Sequence, residues 1–137
     1  MSKIGKPRTA NGLASFCARM AQEKKADDIL ILNLKSIDTA PADYFVVCSC
    51  DSDIQMKSIA DSISRKCREL QMDRPKIEGM DSNYWILLDF FDVILHIMIK
   101  DARNFYKLEK LWGDAKFKLL DDDSKLKAFN TKDLKYD

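Results

Sequence analysis

The sequence predicts a single compact α/β domain, a mixed β-sheet flanked by helices in the order αββαββα. Three observations carry that expectation. A chain of 137 residues, 46% hydrophobic and 33% charged, has material for one domain around one core. Apolar runs rich in branched and aromatic residues recur at 29–34, 44–49, 84–88 and 93–99, each stretch short enough to be strand. Between them, apolar residues fall at helical spacing.

Residues 1–12 are polar, interrupted by Gly5 and Pro7, and read as a flexible lead. Leu13, Phe16, Cys17 and Met20 then share one helical face. Ile29–Leu34 reads as a strand, and the stretch around Pro41 as a loop. Tyr44–Ser49 is continuously apolar, as expected of a central strand covered on both faces. Asp51, Ser52 or Asp53 can cap a helix whose inner face carries Met56, Ile59, Ala60, Ile63, Cys67 and Leu70. Residues 72–83, with Pro75 and Gly79, read as a loop.

A hairpin follows, Tyr84–Leu88 and Val93–Ile99 flanking Asp89-Phe90-Phe91-Asp92. Strand alternation puts Ile86 and Leu88 on one face, Trp85 and Leu87 on the other. Asp101 is expected to cap a last helix that runs to Gly113, with Phe105 and Leu108 on its inner face. The domain is thus expected over 13–115, followed by a charged tail over 116–137.

Composition narrows the function. With 23 basic and 22 acidic side chains, the chain lacks the basic footprint that coats nucleic acid. No apolar run approaches the roughly 20 residues of a membrane span, and no apolar core follows the N-terminal charges as in a secretory signal. The expected location is cytoplasmic, with Cys17, Cys48, Cys50 and Cys67 as reduced thiols.

Catalytic constellations do not assemble from the sequence. The cysteines lack the paired knuckles of structural zinc, and neither metal nor cofactor is expected. His96, the single histidine, lies in an apolar strand and reads as a hydrogen-bonded structural residue. Cys50 sits at a strand-to-helix turn, but Asp51 and Asp53 oppose its ionisation. The pairs Asp51/Asp53 and Asp89/Asp92 could in principle hold Mg²⁺, which keeps open an alternative, a nucleotidyl- or phosphoryl-transfer enzyme using Asp89 and Asp92. Caps and turn residues account for the same aspartates. Lys100, Arg103, Lys107 and Lys110 form at most a modest basic patch. What remains is a surplus of large rings, Trp85, Phe90, Phe91, Tyr106 and Trp112, of the kind that anchors protein interfaces.

The chain also resembles the RsfS/Iojap family of ribosomal silencing factors. The likeness begins at Lys24-Lys25-Ala26-Asp27-Asp28-Ile29 and continues through Ala42-Asp43-Tyr44-Phe45-Val46-Val47-Cys48-Ser49, similar to ADYFVICSG. Asp92-Val93-Ile94-Leu95-His96-Ile97 is similar to GDVVVHV without its glycine. Arg103-x-Phe105-Tyr106-x-Leu108-Glu109-x-Leu111-Trp112-Gly113-Asp114-Ala115 resembles the closing helix. The resemblance implies a nucleotidyltransferase-like fold without enzymatic activity. It implies a translation repressor that binds the large ribosomal subunit through ribosomal protein uL14 and blocks subunit joining. The partner-binding residues it implies are Trp85, Asp89, Phe90, Phe91, Tyr106, Leu108, Glu109 and Trp112. A homodimer and a peripheral contact with ribosomal RNA stay open. Cys50 and Phe91 stand where the family pattern has glycine.

Overall fold

A computed structural model describes residues 4–133. Seven strands form one sheet in the order β3-β4-β5-β2-β1-β6-β7. In chain order the elements are α1 (Ala10–Glu23), β1 (Asp27–Asn33), β2 (Tyr44–Cys50), α2 (Asp53–Glu69), β3 (Lys76–Glu78), β4 (Trp85–Asp89), β5 (Val93–Ile99), α3 (Lys100–Tyr106), α4 (Leu108–Leu111), β6 (Lys116–Leu120) and β7 (Leu126–Phe129). Among the described residues only β2 and β5 pair in parallel; the other neighbours are antiparallel.

β2 is buried at all seven positions, which explains its unbroken apolar run. One face of the sheet, with Ile31, Val46, Cys48, Ile86, Leu88, Leu95 and Ile97, packs under α1 and α2. The other, with Leu30, Leu32, Phe45, Val47 and Met98, is covered by Ala102 and Leu108 of α3 and α4. In β1, a left-handed Asp28 and a register shift before Leu30 adjust the pairing with β2. The cap of α2 is Ser52, whose hydroxyl accepts from Gln55 N–H at 3.1 Å, while Gln55 returns an acceptor to Asp51 N–H at 2.8 Å.

Several expectations are corrected. The helix expected from residue 13 begins at Ala10, because Thr9 caps it by accepting from Gly12 N–H at 2.9 Å. Ile4 of the expected lead packs on the core; residues 1–3 lie outside the described residues. The expected loop over 72–83 contains β3, which pairs with β4. Gly79, just after it, has φ of 88°, and a Cβ there would stand 2.5 Å from the Trp85 carbonyl oxygen.

The segment from residue 116, expected as a charged tail, is part of the sheet. β6 pairs with β1 from Leu30↔Leu119 to Asn33↔Lys116, and β7 pairs with β6. Its lysines obscure a two-residue alternation in which Phe117 and Leu119 face the α3–α4 side while Lys116 and Lys118 face the other. Residues 134–137 lie outside the described residues. Finally, the last helix is two short ones, broken where Lys107 takes a left-handed φ of 48°, and Asp101 lies inside the first turn rather than capping it.

Two predictions follow from this packing. Ending the chain before Lys116 removes the buried Phe117 and Leu120 and bares the edge of β1. At about 1.5–3 kcal/mol per buried side chain, the truncated protein should lose about 3 kcal/mol or more in urea unfolding; unchanged stability would make β6 and β7 a dispensable arm. At the hairpin tip, Phe91 has φ of 78° and Asp92 N–H donates to the Phe90 carbonyl at 3.1 Å, a strained γ-turn. The Phe91 ring is 83% exposed, so Phe91→Gly should raise unfolding stability by about 1 kcal/mol by relieving strain without losing packing.

Candidate protein-docking surface

The residues expected at the site divide between the two faces of the sheet. Trp85, Leu87 and Asp89 share one face, and Phe90 packs on the opposite one beneath α1 and α2. Trp85 and Tyr106 are brought together, and Trp112 is linked to them through Phe45 and His96; Phe90 and Phe91 are not with them.

Six rings run in contact through this surface. Trp112 lies 5.9 Å from Phe45, and Phe45 4.4 Å from His96. His96 is 5.8 Å from Trp85, which is 4.8 Å from Tyr106, and Tyr106 is 5.0 Å from Phe105. The string starts at the half-buried Trp112, passes through buried Phe45 and His96, and emerges at Trp85, Tyr106 and Phe105. Beside it the helices leave Leu87 and Ile94 of the sheet half-buried.

Phe105, expected inside, is 78% exposed, and Leu111 is 70% exposed. The break at Lys107 is the cause: a continuous helix would have kept the spacing of Phe105, Leu108 and Trp112, but the left-handed residue rotates α3 away from α4.

Leu108 and Glu109, expected to meet a partner, are interior residues, 7% and 0% exposed. Glu109 accepts from Arg103 Nε, and Arg103 Nη1 donates to Ser49 Oγ of β2 at 2.8 Å. This buried ion pair closes the angle between α3 and α4 and ties it to the sheet. It also withdraws Arg103 from the expected basic patch. Lys100 leaves it too, pairing with Asp51 at 2.7 Å and Asp27 at 3.1 Å, and these hydrogen bonds, Asp51's first, raise its pKa.

His96 supports Trp85 from beneath: its Nδ1 accepts from the Trp85 indole N–H at 3.2 Å. Burial, aided by the nearby Arg103 charge, pushes the imidazole pKa down to about 3, so the ring is neutral. The thiols of Cys48 and Cys17 are equally quiet. Hydrogen bonding to Cys50 and burial hold the Cys48 pKa well above normal, and burial raises that of Cys17.

No cluster of His, Cys, Asp or Glu among the described residues has the arrangement to hold a metal. Asp89 Oδ1 accepts from Phe91 N–H at 2.8 Å, as a turn residue does, and Asp53 pairs with Lys57 at 3.7 Å. No helix among the described residues is long and apolar enough to cross a membrane. The arrangement offers recognition by shape and ring contact, with two residues, Leu87 and Ile94, that the sequence reading did not include.

A family model described as "Ribosomal silencing factor during starvation" matches residues 7–136. The chain belongs to the RsfS family. The Bacillus subtilis ribosomal silencing factor RsfS is 40% identical over 109 residues, covering 80% of this chain and 92% of that protein. The chloroplastic protein Iojap of Zea mays is 35% identical over 101 residues, which are 72% of this chain and 42% of the longer plant protein. Among solved structures, a Chromobacterium violaceum protein superposes with a TM-score of 0.71 at 29% identity, covering 77% of this chain and 88% of that one. The match to residue 136 takes in β6 and β7, beyond the residue-115 limit of the sequence resemblance.

The buried groups beneath the surface yield two tests. Glu109→Gln leaves the Arg103 charge buried without its counter-charge and should cost about 3 kcal/mol in denaturant unfolding; a negligible loss would mean that the ion pair does not hold the α3–α4 angle. His96 sets an acid limit. With its pKa near 3 folded against an ordinary 6.5, the unfolded chain takes up the proton first, so stability present above about pH 6.5 is lost on acidification toward 3. Unfolding free energy should fall by about 2 kcal/mol between pH ~7 and pH ~5, and His96→Gln should lack most of that drop.

Proposed function

We propose that this chain is a ribosomal silencing factor that docks on the large ribosomal subunit through ribosomal protein uL14. By occupying that surface it blocks joining of the small subunit and represses translation, acting in the cytoplasm without enzymatic activity. The observation that carries the reading is the ring surface of Trp85, Tyr106 and Trp112, held from beneath by His96 and the Arg103–Glu109 pair yet open to solvent. A soluble domain gains little by fixing large rings at its surface, whereas preorganised aromatic anchors lower the entropy cost of docking. The names borne by its relatives support the ribosomal partner.

Purified chain should sediment with large subunits and slow their joining to small ones. Trp85→Ala should weaken that binding by more than about 1 kcal/mol, roughly fivefold or more, while the circular dichroism spectrum stays native. Failure to bind either large subunits or isolated uL14 overturns the proposal; loss of folding in the variant would instead make Trp85 a core residue.

A further inference from the structure

On the α1 side of the sheet, opposite the ring surface, the strand register gathers lysines beside core residues. Tyr44, Asn33 and Lys116 stand in one row across β2, β1 and β6. Val46, Ile31, Lys118 and Ala128 form the next row, which reaches β7. Directly opposed residues of antiparallel strands share a face, and Tyr44, Val46 and Ile31 belong to the core beneath α1 and α2. Lys116 and Lys118 therefore project to that same side, where both are exposed.

Towards its end, α1 is fastened to the β6–β7 turn. Arg19 donates to the Ser124 carbonyl at 2.6 Å, and Gln22 Nε2 to the Asp121 carbonyl at 2.7 Å. Nearer the start of α1, a cavity of about 530 Å³ lies between Asn11 and the two rows of the sheet. Small-molecule sites occupy roughly 300–1,000 Å³.

The chemistry of this cavity is one-sided. Lys116, Lys118, Asn11 and Asn33 line it, and no aspartate or glutamate does. Among the described residues neither lysine enters a salt bridge. Lys35 adds a third positive charge nearby, its Nζ 5.2 Å from the centre of the Tyr44 ring. Asn33 Oδ1 already accepts from the Lys35 backbone N–H at 3.1 Å, so its NH₂ is the group left to donate. The first turn of α1 holds no acidic residue to offset the partial positive charge of the helix N-terminus. Ile31 and Ala128 supply an apolar floor.

We propose that this cavity binds a small phosphomonoester, its phosphate held by Lys116, Lys118 and the Asn33 amide, its organic body on the Ile31–Ala128 floor. A phosphomonoester carries about −1.5 to −2 charge at neutral pH and three strong acceptor oxygens, so it answers both lysines at once. A single carboxylate answers one. An RNA backbone is tracked by an extended basic groove, whereas these lysines converge on one recess. The site lies on the sheet face opposite Trp85, so it is independent of the docking reading.

Adenosine 5′-monophosphate is the probe, with adenosine and a single-stranded oligoribonucleotide as comparisons. In NMR titrations the monophosphate should shift the side-chain NH₂ signals of Asn11 and Asn33, and adenosine should do so only at much higher concentration. The double variant Lys116→Gln/Lys118→Gln alters two exposed side chains and should keep a native circular dichroism spectrum. It should bind the monophosphate about tenfold or more weakly, since one lost charge-assisted hydrogen bond suffices for that. Lys57→Gln, on α2, should bind it as the parent chain does. No binding at millimolar monophosphate overturns the inference, as does equal binding of adenosine or an unchanged affinity in the double variant. An oligoribonucleotide that binds through the same lysines while the monophosphate does not makes the cavity a nucleic-acid contact and overturns it too. The Asn33 shift in the unaltered chain decides the site even where the double variant fails to fold.

Discussion

The parallel pairing of β2 with β5 holds the molecule together. It runs from Tyr44↔Val93 to Cys50↔Ile99, and it joins segments separated by α2, β3 and β4. Parallel strands need such a crossover, and they are stable when both faces are covered. Here α1 and α2 cover one face and α3 and α4 part of the other. Every remaining strand is added outward from this pair by antiparallel neighbours, β4 and β3 on one side and β1, β6 and β7 on the other.

That central pair also fixes the docking surface. Ser49 on β2 receives the Arg103 guanidinium, Phe45 on β2 lies against both His96 and Trp112, and His96 on β5 holds the Trp85 indole. The exposed rings are thus attached to the most deeply buried strands through a few specific contacts. Such an arrangement preorganises a surface without covering it, so that docking need not order it anew. The face carrying α1 and α2 has no equivalent, because Phe90 is drawn into the packing there.

The same buried groups carry an energetic liability. A neutral histidine with one unpaired nitrogen and an ion pair at full burial both cost desolvation, and an apolar core would avoid both. Their retention beneath the ring surface accords with a role in its geometry. The strained Phe91 turn is a separate liability at the far end of β4, and its exposed ring gains no packing in this chain.

The sequence by itself determined the class of fold and its central parts. β2 was legible because a strand buried on both faces must be apolar throughout, and α2 because its stripe repeats at helical spacing. Alternation assigned Ile86 and Leu88 to one face and Trp85 and Leu87 to the other. The family resemblance was legible in part for the same reason: its motifs lie at the start of β1, on β2 and β5, and on α3 and α4. Tertiary structure alone decided the rest. Whether the lysine-rich segment after residue 116 pairs depends on the free edge of β1, which no local pattern reveals. One left-handed residue, Lys107, turns Phe105 outward, and a counter-charge from Arg103 draws Glu109 inward. Burial and surface here depend on contacts between segments distant in sequence, so residue type and spacing could find the rings but could not say which of them face a partner.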